Sequence, residues 1–79
     1  MSNVTIYATD WYPYCRSLLK GLDGQEYDLI DVDQDEEAGE WVKSVNDGNR
    51  IVPTVRYSDG THATNPPAAE VIAKIEALA

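Results

Sequence analysis

Val4-Thr5-Ile6-Tyr7-Ala8 is followed within a few residues by a change of hydrophobic period, from a continuous apolar run to a helical repeat. The run is built of β-formers and is apolar almost throughout, the pattern of a short buried strand. Thr9, Asp10 and Pro13 break it. From Pro13 onward Cys15, Leu18, Leu19 and Leu22 recur three and four residues apart, with Arg16 and Lys20 between them. That spacing puts the four apolar side chains on one face of a helix. Proline suits the first helical turn because the N–H it lacks has no partner there. A buried strand feeding directly into an amphipathic helix points to an α/β fold.

The rest of the chain extends the same plan. Asp23-Gly24 marks a turn. Tyr27 to Val32 reads as a second strand, with Leu29, Ile30 and Val32 as its apolar content. The acidic residues Asp31, Asp33, Asp35, Glu36, Glu37 and Glu40 follow. An EF-hand loop starting at Asp31 would need Gly at its sixth position and Glu at its twelfth; Glu36 and Val42 stand there. The run therefore reads as a helix N-terminus, where carboxylates favour the helix dipole. Ala38, Trp41, Val42 and Val45 form the apolar face of that helix, and Asn46-Asp47-Gly48-Asn49 ends it. Ile51 to Tyr57 reads as a third strand with Pro53 inside it, which argues against a central place in a ladder. Ser58-Asp59-Gly60 is a hairpin turn, with Thr61 to Ala63 as the return strand. Asn65 is expected to cap a last helix whose first positions are Pro66 and Pro67 and whose apolar face is Val71, Ile72, Ile75 and Leu78. The expected order is β-α-β-α-β-β-α: a four-stranded mixed sheet with three flanking helices. Its first two strands are parallel, and its last two form an antiparallel hairpin.

A chain of 79 residues has room for one small core, so residues 1–79 are expected to form a single domain. Six Lys and Arg against fourteen Asp and Glu give a formal net charge of −8. A surface that acidic repels nucleic acid and anionic membranes alike. No stretch has the roughly 20 apolar residues of a membrane span. The first residues lack a basic region followed by an apolar run, so no secretory signal is expected. The one cysteine, Cys15, rules out an internal disulfide framework, and together with the one histidine, His62, it is too little for the usual zinc set. These absences lead to an expected cytoplasmic location.

Four features bear on chemistry. Cys15 falls in the first turn of a helix, where the dipole and free N–H groups stabilise a thiolate. Equally, it shares an apolar face with Leu18, Leu19 and Leu22 and reads as a buried, inert thiol. Trp11, Tyr12 and Tyr14 surround Pro13 between strand and helix. Exposed, they would form a binding surface; packed, they would cover the sheet edge. Val52-Pro53 is either a cis bend offering backbone groups to an extended ligand or simply an edge blocker. Thr64-Asn65 is either an anion-holding helix start or an ordinary cap.

Taken together and in this order, these features resemble the glutaredoxins, a branch of the thioredoxin fold. The family pattern is a strand, then Cys-Pro-Tyr-Cys or a variant opening a helix, then Val-Pro before a hairpin, then a helix start that binds a thiol co-substrate. Trp11-Tyr12-Pro13-Tyr14-Cys15, Val52-Pro53-Thr54 and Thr64-Asn65-Pro66 match it in turn. The resemblance covers nearly the whole chain and is greatest to the mycoredoxins, glutaredoxin-like bacterial proteins that use mycothiol. The small redoxins that reduce ribonucleotide reductase are the alternative branch. The resemblance implies a thiol-disulfide oxidoreductase acting on mycothiolated proteins, with mycothiol as co-substrate and no metal. It also implies a groove for that thiol made by Trp11, Pro13, Tyr14, Val52, Pro53, Thr64 and Asn65.

One departure bears on activity. The family's nucleophile is the first cysteine of the motif, and Tyr12 stands there; Cys15 occupies the position of the resolving cysteine. A phenol with an ordinary pKa near 10 has no disulfide chemistry. The expectation is a chain that keeps the fold and is inactive or strongly impaired. Two further readings are a redox-dead module that binds a partner or a second copy through Trp11, Tyr12 and Tyr14, and a slow monothiol using Cys15. A monomer is expected, with dimers through Cys15 or the aromatic loop as the alternatives.

Overall fold

The computed structural model describes residues 2–79. Seven elements follow in the expected order: β1 (Val4–Ala8), α1 (Pro13–Gly21), β2 (Asp28–Asp31), α2 (Glu36–Ser44), β3 (Thr54–Tyr57), β4 (His62–Thr64) and α3 (Ala68–Leu78). The strands make one sheet in the order β2-β1-β3-β4. Ile6 pairs with Leu29 of β2 in parallel and with Val55 of β3 antiparallel, and Val55 pairs with Ala63 across the β3–β4 hairpin. This is the mixed four-stranded α/β sheet with three helices read from the sequence.

The interior place of β1 explains its composition. Side chains alternate across a strand. Val4, Ile6 and Ala8 join Cys15, Leu18, Leu22, Val55, Tyr57 and Val71 in a core beneath α1 and α3. Tyr7 points the other way and is buried with Val32, Ala38 and Val42 beneath α2. α1 and α3 approach closely at Gly21, where an added Cβ would lie 2.6 Å from the Cβ of Ala68. The acidic run opens α2: the Asp35 carboxylate accepts the Ala38 N–H at 3.0 Å, and Glu36 and Glu37 fill the first turn.

Four expectations need correction. β2 covers only Asp28–Asp31 and lies at the sheet edge, which leaves Leu29 exposed. β3 begins at Thr54 and is an inner strand. Pro53 does not block an edge; it precedes the strand, is buried, and is joined to Val52 by a cis peptide bond. The return strand of the hairpin is His62–Thr64, one residue later than expected. The last helix begins at Ala68, with Pro67 as its N-cap and no side-chain cap. Asn65 is not the cap. A proline disfavours helical geometry in the residue before it, so two in succession push the helix start downstream. Asn65 instead has φ of 48°, a left-handed conformation that asparagine tolerates. No helix among the described residues is long and apolar enough to cross a membrane.

Candidate functional site

A cleft of about 350 Å³ is lined by Thr9, Trp11, Tyr12, Arg50, Ile51 and Val52. One wall comes from the segment joining β1 to α1, the other from the segment before Pro53. Tyr12 is the N-cap residue of α1, with extended backbone (φ −82°, ψ 127°), and its carbonyl accepts the Arg16 N–H at 3.1 Å. Its half-buried ring packs on the core beneath α1 and stands 5.7 Å from the Trp11 ring and 5.4 Å from that of Tyr14. Trp11 and Tyr14 are 63% and 58% exposed.

Cys15 lies beneath this surface. It is on the core side of α1 with Leu18 and Leu22 and is 0% exposed. The Thr9 hydroxyl is 4.0 Å from its sulfur. Of the two readings of this thiol, the structure holds the buried one. Tyr12 contributes to the cleft lining and Cys15 does not. Thiolate attack and thiol alkylation both need access, so either reaction at Cys15, or a disulfide to a second chain, first requires the sulfur to be exposed.

The predicted groove residues divide in three. Trp11 and Val52 line the cleft beside Tyr12, the residue at the nucleophile position. Pro13 and Tyr14 stand exposed on the first turn of α1. Thr64 and Asn65 brace the Pro53 segment from behind. The Asn65 N–H donates to the Pro53 carbonyl at 2.7 Å, and the Thr64 hydroxyl donates to Asn46 Oδ1 at 2.6 Å. Asn46 is buried, and its amide Nδ2 donates to the Val42 carbonyl at 2.9 Å and the Thr54 hydroxyl at 3.2 Å. The Thr54 hydroxyl donates in turn to the Ile51 carbonyl at 2.7 Å. The end of α2, the cleft segment and β4 are thus tied by one polar chain.

A second tie joins the two walls of the cleft. The Trp11 indole N–H donates to Asp33 Oδ2 at 2.9 Å, and the Arg50 guanidinium pairs with Asp33 Oδ1. The Arg50 hydrogen bond, with help from the Trp11 indole, holds the Asp33 carboxyl below its ordinary value of 3.8. Sequence reading missed Thr9, Asp33, Asn46, Arg50 and Ile51. Only Arg50-Ile51 carried a local signal, as direct neighbours of Val52-Pro53.

A model of the family described as Glutaredoxin matches residues 4–63. The chain belongs to the glutaredoxin family. Glutaredoxins are thiol-disulfide oxidoreductases, and within them this chain is mycoredoxin-like. It is 98% identical over 79 residues, all of both chains, to Mycoredoxin 1 of Corynebacterium glutamicum. It is 46% identical over 78 residues to a protein of Mycobacterium tuberculosis described as a glutaredoxin, covering 96% of this chain and 93% of that one. Among solved structures, a glutaredoxin of Archaeoglobus fulgidus superposes with a TM-score of 0.69 at 25% identity, covering 95% of this chain and 87% of that one. A thioredoxin-like protein superposes at 0.71 with 22% identity, over 91% of this chain and 97% of that one, and supports the fold alone.

Proposed function

We propose that this glutaredoxin is built to take mycothiol from protein mixed disulfides, and that Tyr12 leaves it inactive or strongly impaired. The whole chain acts as one domain, as a cytoplasmic monomer. The observation that carries the reading is the position of Tyr12. It lines the cleft at the head of α1, where the family's attacking sulfur belongs, while the remaining sulfur of Cys15 is 0% exposed below it. In the ordinary reaction the first thiolate attacks the mycothiol sulfur of the mixed disulfide. The old S–S bond breaks, the substrate protein leaves as a thiolate and takes a proton, and an enzyme–mycothiol disulfide remains. A second mycothiol then attacks that disulfide, frees the enzyme thiol and leaves as mycothiol disulfide. The Tyr12 phenol cannot perform the first step.

Trp11 and Val52 are proposed to seat the small thiol, with Pro13 and Tyr14 bordering it and Pro53, Thr64 and Asn65 holding the Val52 segment in place. A paired assay with a mycothiol mixed disulfide tests the reading. Tyr12→Cys is expected to raise turnover by on the order of a thousandfold or more, the scale of restoring a missing nucleophile. Equal turnover by both forms would refute it.

A second reading draws on the aromatic surface. The Trp11, Tyr12 and Tyr14 rings lie in edge and tilted contact, and two of them are more than half exposed. Such a patch suits a redox-dead module gripping a second copy. Sedimentation at rising concentration separates the readings: mass doubling abolished by Trp11→Ala supports the module, and a constant monomer mass removes it.

A further inference from the structure

Arg50 is the one cation lining the cleft, and it is already engaged. Its partner Asp33 uses both carboxylate oxygens, one for Arg50 and one for the Trp11 indole N–H, so the two walls share a single anion. The pair also borders a hollow lined by Glu36, Glu40 and Lys43, where Lys43 is itself paired with Glu40 at 3.6 Å, in a chain of net charge −8. A carboxylate ligand is held best by a guanidinium whose fork is free. Asp33 takes only Nη2 of Arg50, so the rest of the fork stays free, but the carboxylate beside it cancels the guanidinium's charge and repels an incoming anion.

Resting on the reading of this cleft as a seat for small thiols, we propose that Asp33 is a specificity-determining residue. By neutralising the charge of Arg50 it weakens the cleft's hold on carboxylate-bearing thiols and leaves a seat suited to uncharged ones. Asp33 does not itself line the cleft; it acts through Arg50. Half-exposed ion pairs add little to stability, so Asp33 can be changed without endangering the fold.

The test uses N-acetylcysteine and N-acetylcysteinamide, which differ only in a carboxylate against a carboxamide. Each is titrated by NMR into the chain as it stands, its Asp33→Asn form and the Asp33→Asn/Arg50→Gln double form. The reporters are the Trp11 indole N–H and the Val52 amide. Asparagine keeps a carbonyl oxygen for the indole, so the uncharged half of the tie persists. Asp33→Asn is expected to improve binding of the carboxylate relative to the carboxamide about tenfold, the worth of one charge-assisted contact. The gain should shrink with added salt and vanish in the double form. An unmoved ratio overturns the proposal, and so does absence of any N-acetylcysteine binding by Asp33→Asn, or a gain that survives Arg50→Gln. If N-acetylcysteinamide shifts neither reporter in any form, the reading of the cleft as a thiol seat falls, and this proposal with it.

Discussion

On the α1 and α3 side of the sheet the core cluster has nine buried residues, Ile6 among them, and all are apolar or aromatic. On the α2 side the buried cluster has four members, and polar contacts finish the packing around it. There Trp41 stacks 4.6 Å from Tyr7, the Arg56 guanidinium sits 4.8 Å above the Trp41 ring, and Asn46 fills its hydrogen bonds with Val42, Thr54 and Thr64. The first side works by burial, which is strong and indifferent to direction. The second works by hydrogen bonds and ring geometry, which are weaker in net terms but fix where loops go. The cleft lies where the two meet: Tyr12 packs on the first cluster, while Val52 packs on both.

The contrast can be broken by matched substitutions. Val71 and Val42 are both 0% exposed, one on each side. Val71→Ala is expected to cost about 3 kcal/mol and Val42→Ala about 1.5 kcal/mol, because the thinner cluster can collapse into the space left. Equal losses in urea unfolding would erase the distinction between the two faces. Asn46→Ala comes next, at about 1 kcal/mol for the lost hydrogen bonds. Unlike either valine change, it should move the amide resonances of Val52 and Thr64. If it lowers stability and leaves those signals in place, the polar chain does not position the cleft.

The smallest effect concerns Asp33. Its folded-state pKa lies below 3.8 because of Arg50 and Trp11. The pair's contribution is therefore present above the ordinary carboxylate range and is lost as pH falls through the lowered value. Carboxyl NMR should find Asp33 titrating below 3.8, and Arg50→Gln should bring it back toward that value. An Asp33 titration unmoved by Arg50→Gln would remove the guanidinium as the cause.

Much of this molecule is visible in local sequence pattern. The continuous run Val4–Ala8 marks an inner strand, and the three-and-four spacing of Cys15, Leu18 and Leu22 marks the face that α1 buries. Such periodicities reflect burial one residue at a time. The start of α3 is not legible from Asn65, a favoured cap by type, because the two prolines after it push the helix downstream. Pro53 resembles an edge signal in pattern alone, which does not reveal that β3 is an inner strand starting at Thr54, just after the proline. The cleft was harder still. Trp11 reaches Asp33 across 22 positions, Arg50 reaches it across 17, and Thr64 reaches Asn46 across 18. No hydrophobic period encodes such pairings; they exist only after the sheet has brought all four strands together. The motif residues Tyr12 and Val52 were legible through family likeness, whereas their polar supports were not.

Val52 forms part of the cleft wall and touches the packing on both sides of the sheet. A guest pressing on that side chain would stiffen α1 and α2 together, although neither helix need meet the guest beyond its first turn. Occupancy should then be readable far from the mouth, as slower deuterium uptake by the amides of both helices and as a higher melting temperature of the whole chain.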